Sequence, residues 1–280
     1  MKAAFELDKR ILSLYDKSTE AKVRIAALDN VGLDCMVLNR PAQARGYFLK
    51  ARELARKAAD DRLLILPLRN LGWACRLMGE PKAALGYYDE ARAAAVRAGD
   101  EARIPLLEMS LGILHHELGR HQEALVHFQA ALRDYARSGD ASGEAYVRLN
   151  RADTRLTLGD LAGAAEDWRE SSRCVRKCGE NRLDPYLSML AGRIAAARGR
   201  PAEAIKRLEA GLRALTKAGE RPESLESQLL LGDMLLKQGR PARARAVWRK
   251  ALDTAPANEK SVFVKALRAR LAKSALRARG

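Results

Sequence analysis

Small and large apolar residues alternate along this chain in a register that repeats every 40 residues. Gly32, Gly72, Gly112, Gly192 and Gly232 lie 40 apart, and Ala152 fills the missing place. Gly79, Gly119, Gly159, Gly199 and Gly239 form a second series of the same period, with Asn39 at its head. Five residues after each of these stands an alanine, and four further on a large residue: Phe48, Tyr88, Phe128, Trp168, Leu208 and Trp248. Three positions later the chain is small again, at Ala51, Ala91, Ala131, Ser171, Gly211 and Ala251. Steps of three and four keep residues on one face of a helix, so each unit predicts two amphipathic helices joined by a tight turn. No strand pattern occurs.

The punctuation agrees with that division. Pro41, Pro81, Pro201 and Pro241 stand where the second helix of a unit begins, and proline suits a first helical turn. Asp160 is the N-cap candidate of a unit lacking that proline, and Gly99-Asp100 and Gly139-Asp140 mark turns between units. Asn39 is expected to take the left-handed conformation that glycine adopts in the other units. A glycine of the first helix is expected to face an alanine of the second, the large residue filling the wedge one turn on. One such pair leaves its apolar face open, so the units must stack. The fold class read from the sequence is therefore all-α, a right-handed superhelical solenoid. It has a capping helix within residues 1–20, about six helix pairs over 21–256 and a basic capping helix within 257–280.

Residues Leu71 to Ala91, LGWACRLMGEPKAALGYYDEA, carry a family resemblance. Leu71, Gly72, Gly79, Ala84, Tyr88 and Ala91 fall on a signature spacing that resembles the tetratricopeptide repeat, and the other units repeat most of it. The longer period is similar to that of Pins/LGN-type polarity adaptors, kinesin light chains, and bacterial Rap-type and MalT-type regulators. The resemblance implies a first-helix concave side that receives partners. On that side Trp73 is the leading candidate, because it sits one residue after a small position rather than in the large-residue series of Trp168 and Trp248. Arg69, Arg76, Met109, Ile113, His116, Asp153 and Arg193 stand around it at helical spacing, a mixed surface. Asn30, Asn70 and Asn150 precede the first-helix small residues by two positions, with Ser110 in the same series. In the related repeats asparagines at this place bind the main chain of an extended peptide, which implies that role here; each amide both donates and accepts.

The remaining chemistry is sparse. His115, His116, His121 and His127 are close in sequence but fall on different helices and faces, so no metal site and no cofactor are expected. Cys174 and Cys178 are read as buried thiols, since alanines occupy their counterparts in other units. Walker, G-x-S-x-G and H-E-x-x-H patterns are absent, and carboxylates are read as solvated, so no catalysis is expected.

Composition changes this picture in two ways. The longest apolar run, Leu63 to Leu68, is far too short to span a bilayer, and the charged amino terminus does not read as a signal peptide, so a cytoplasmic protein is expected. Charge is uneven: residues 181–280 carry 22 Lys and Arg against 9 Asp and Glu, out of 51 against 35 in the whole chain. Arg240, Arg243, Arg245, Arg249, Lys265, Arg268, Arg270 and Lys273 concentrate it, with Arg277 and Arg279 beyond. Such an end attracts acidic protein, nucleic acid or anionic lipid, though it lacks aromatics for base stacking. The leading expectation is a protein-protein interaction scaffold that holds a partner segment. The alternatives are a peptide- or ligand-sensing domain of a bacterial regulator and nucleic-acid binding through the basic end.

Overall fold

The computed structural model describes residues 20–218, 225–255 and 262–276, together with Glu6 and Arg10. Among these the regular structure is helical and no strand occurs. The chain divides into two compact units, residues 1–140 and 141–280. In the first, three hairpins follow one another: α1 (Ala21–Val37) with α2 (Pro41–Lys57), α3 (Asp61–Leu77) with α4 (Pro81–Arg97), and α5 (Ile104–Glu117) with α6 (His121–Ser138). In the second, α7 (Ala141–Thr157) pairs with α8 (Leu161–Cys178), α9 (Asp184–Ala197) with α10 (Pro201–Lys217), and α11 (Leu225–Lys237) with α12 (Pro241–Thr254). A last helix, α13 (Val262–Leu276), packs on α11 and α12 as the first helix of a further pair would. Apart from Glu6 and Arg10, the expected amino-terminal capping helix lies outside the described residues, as do Arg277 and Arg279.

Each hairpin closes in the same way. Gly79 has φ of 74°, the Glu80 amide donates to the Cys75 carbonyl at 2.9 Å, and Pro81 then opens α4. Asn39 takes the same left-handed conformation at φ 56°, as its place in the glycine series predicts. Asp160 caps α8 by accepting from the Gly163 amide at 2.9 Å.

The 40-residue glycine series has a sharper cause than the sequence suggested. A Cβ on Gly32 would lie 2.3 Å from the Phe48 ring, on Gly72 2.4 Å from Tyr88, and on Gly232 2.0 Å from Trp248 Nε1. The large residue lies on the glycine itself, because the missing side chain opens a slot for it, and at Gly192 the carbonyl of the facing Ala204 is also 3.1 Å from where a Cβ would stand. At Ala152 the slot is filled. Trp168 is accordingly only half-buried, and its Nε1 donates forward to the Leu187 carbonyl of α9 at 2.9 Å. Trp248 is fully buried over Gly232 and donates back to Leu229 of its own hairpin at 3.3 Å.

Successive first helices touch: α1 with α3 and α3 with α5 in one unit, α7 with α9, α9 with α11 and α11 with α13 in the other. Among the described residues no two second helices make a comparable contact. Within each unit the first helices therefore form the closely spaced inner row.

Two expectations about polar groups are corrected. Asp29, Glu108 and Asp167 are buried carboxylates rather than solvated ones, and Cys178 is exposed while Cys174 is buried.

Candidate functional site

In the first unit the inner row brings Asn70, Arg69 and Trp73 of α3 together with Asp29 of α1. Arg69 Nη1 donates to Asn70 Oδ1 at 3.0 Å, and its guanidinium lies 5.6 Å from the Trp73 ring centroid, within cation–π range. Trp73 is half-buried and packs against the Val31, Cys35 and Phe48 cluster. Asn70 is 4% exposed and hydrogen-bonds Asp29, itself 6% exposed. Burial pushes the Asp29 carboxyl up to about 7, the Asn70 hydrogen bond holding it partly back. Burial also pulls Arg69 below the ordinary arginine range. Asp29 Oδ1 and Arg69 Nε, an acceptor and a donor, have no hydrogen-bond partner among the described residues. Asn30 on α1 is exposed beside this cluster. Arg76 pairs with Glu117 of α5, and Met109, Ile113 and His116 continue the row half-buried.

Asp29 escaped the sequence reading, although a signal existed. In the 40-residue register its counterparts are Arg69, Met109, Leu149, Met189 and Leu229, so it is the one carboxylate of its series.

The histidines pair across helices: His115 with His127 and His116 with His121, each at 5.0 Å between ring centroids. His127 Nδ1 lies 2.7 Å from the buried Glu108 Oε2. Burial, with His127 beside it, lowers the His115 pKa below its usual value. Among the described residues no group of three His, Cys, Asp or Glu is arranged to hold a metal ion.

In the second unit the inner-row charges are chained. Asp153 of α7 pairs with Arg193 of α9, whose Nη2 reaches Glu226 of α11 at 2.9 Å. Asp233 of α11 takes two hydrogen bonds from Arg270 of α13, at 3.1 and 3.0 Å. Asn150 turns back onto its own helix, its Nδ2 donating to the Tyr146 carbonyl at 2.8 Å. Beside these pairs opens a cavity of about 1350 Å³, whose lining includes Leu156, Leu230, Met234 and Leu236 together with Lys237, Arg245 and Lys273. Of the other predicted basic residues, Arg243 pairs with Glu209, while Arg240, Arg249, Lys265 and Arg268 are exposed.

A further cluster lies inside the α7–α8 hairpin. Asp167, 1% exposed, receives Arg151 at 2.6 Å, Arg155 at 2.9 Å and Arg148 at 3.4 Å. Arg151 occupies the register of Leu71, Leu111 and Leu231, whereas Arg148 and Asp167 fall on the register of Glu108 and His127, which also pair.

Comparison with known proteins places this geometry in context. Family models described as tetratricopeptide repeat match residues 24–95, 109–138 and 183–259. No curated protein matches the chain. Among solved structures it is similar to the Rap conjugation gene regulator of plasmid pLS20 in complex with a Phr peptide. That match has 16% identity and a TM-score of 0.73, covering 89% of this chain and 67% of the other. It is also similar to NprR in complex with its cognate peptide NprX, at 14% identity and TM-score 0.67, covering 98% and 80%. A third, the APC/C hetero-tetramer Cut9–Hcn1, has 17% identity and TM-score 0.70, covering 95% and 46%. The chain thus spans less than half the length of that last one, and at these identities the likeness concerns the fold. Among the described residues no helix is long and apolar enough to cross a membrane.

Proposed function

Because the chain belongs to the tetratricopeptide repeat family, we propose that it is a non-catalytic, cytoplasmic interaction scaffold that holds an extended segment or helix of a partner protein against its first-helix row. The observation that carries this reading is the cluster around Trp73. A half-buried indole with a guanidinium over it stands beside the exposed Asn30, whose amide both donates and accepts. A peptide main chain offers both complements to such an amide, and the indole supplies an apolar face beside it. The peptide-bound state of NprR and of the pLS20 Rap protein supports the same reading for this fold.

The test is capture by the full chain followed by mass spectrometry, comparing wild type with Trp73→Ala and Asn30→Ala. Asn30 is exposed, so its loss leaves packing intact. Asn70→Ala is the poorer probe, since it strips the buried Asp29 of its hydrogen bond. Proteins retained by wild type and lost from both variants, at unchanged far-UV circular dichroism, support the reading. An identical retained set on all three rejects it.

A second reading, the sensing domain of a bacterial regulator, draws on the likeness to the plasmid gene regulator. A small ligand that raises the melting temperature in a metabolite screen favours it, because only that reading requires one.

A further inference from the structure

Five cationic side chains line the cavity of residues 141–280, and they are not equivalent. Arg193 lies between Asp153 and Glu226, and Arg270 is held by both oxygens of Asp233. The cavity's own carboxylates, Glu226 and Asp233, are thereby used. Lys237, Arg245 and Lys273 have no acidic partner among the described residues. Arg245 is half-buried, and its Nη1 donates to Ser274 Oγ of α13 at 3.2 Å, which ties its guanidinium to that helix. Three uncompensated cations therefore share the cavity lining with half-buried Leu156, Leu230, Met234 and Leu236. Apolar walls reduce screening, so a counter-charge brought to such a rim is held more strongly than on an open surface.

We propose that this cavity selects an acidic segment of a partner protein, its apolar side chains on Leu230 and Met234 and its carboxylates paired with Lys237, Arg245 and Lys273. This rests on the interaction-scaffold reading and gives that reading a partner chemistry. It also gives α13 a role in the site, since Ala269, Lys273 and Ser274 line the cavity. The apolar lining favours protein over nucleic acid. A phosphodiester backbone gains nothing from four aliphatic side chains, and the one aromatic lining the cavity, Trp248, is fully buried and offers no face for base stacking.

The probe is a display library of random dodecapeptides selected on the full chain, on wild type and on Lys237→Glu/Lys273→Glu. Both lysines are exposed, so the fold tolerates the change. Wild type is expected to enrich peptides that carry several carboxylates among apolar residues. The strongest of these, followed by fluorescence anisotropy, is expected to bind the double variant about tenfold more weakly, the effect of exposed ion pairs exchanged for repulsion. Arg245→Gln is expected to weaken it in the same direction. Enrichment of neutral or basic peptides, or equal binding of acidic peptides by wild type and double variant, overturns the proposal while leaving the scaffold reading standing. Enrichment of no peptide at all rejects both. A dodecamer of thymidine that displaces the peptide with equal affinity also overturns it, in favour of an unselective polyanion surface.

Discussion

Gly232 and Ala152 occupy the same place in two hairpins, and the tryptophan sixteen residues later answers each differently. Over Gly232 the indole drops into the slot; beside Ala152 it turns outward and bonds the next helix. Gly232→Ala is accordingly expected to destabilise the protein by ~1–3 kcal/mol, the range for overpacking a filled core, as read from the urea midpoint. Gly86→Ala is the control, since a Cβ there meets nothing within 4 Å and α4 should gain about 0.5–1 kcal/mol. Ala59 holds a left-handed φ of 53° where other units place glycine, so Ala59→Gly should stabilise by roughly 1 kcal/mol. Asp29 gives a pH signature. Its folded pKa near 7 exceeds the unfolded value of 3.8, so the folded state binds the extra proton between those limits and stability falls as pH rises across them. Asp29→Asn should therefore raise the melting temperature at pH 8 and leave it nearly unchanged at pH 4.

At the scale of the hairpin, the contacts that matter are sixteen and nineteen residues apart. Gly32 meets Phe48 and Arg151 meets Asp167 at the first spacing; His127 meets Glu108 and Trp168 meets Leu187 at the second. The helix pairs and their turns were legible in the sequence because small residues, prolines and left-handed positions recur in strict register. What each small residue touches was not, since periodicity marks a face without naming its neighbour. The Arg148, Arg151, Arg155 and Asp167 knot was hidden for another reason: charged residues on helices are usually solvated, and only the mismatch of Arg151 with Leu71, Leu111 and Leu231 betrayed it. Removing the carboxylate takes from Arg151 its buried ion pair, while Arg148 keeps Glu144 and Arg155 keeps Asp160. Asp167→Ala is expected to cost about 3–5 kcal/mol, measurable by chemical denaturation and far above the effect of an exposed pair such as Arg56–Glu90.

For the molecule as a whole, the row of first helices in each unit is the proposed partner-facing side, and charge distinguishes the two units. Residues 141–280 carry 29 Lys and Arg against 16 Asp and Glu, whereas residues 1–140 carry 22 against 19. The basic carboxy-terminal end was visible in composition alone. Its division into neutralised arginines and uncompensated Lys237, Arg245 and Lys273 required the fold, because Asp153–Arg193 and Asp233–Arg270 are 40 and 37 residues apart. The measurement that bears most directly on the scaffold reading is hydrogen exchange of the full chain with and without a captured peptide. Slowed exchange centred on first helices, α3 in one unit or α9, α11 and α13 with the Arg245 turn of α12 in the other, is the result predicted; slowed exchange confined to α2, α4 and α10 would contradict it.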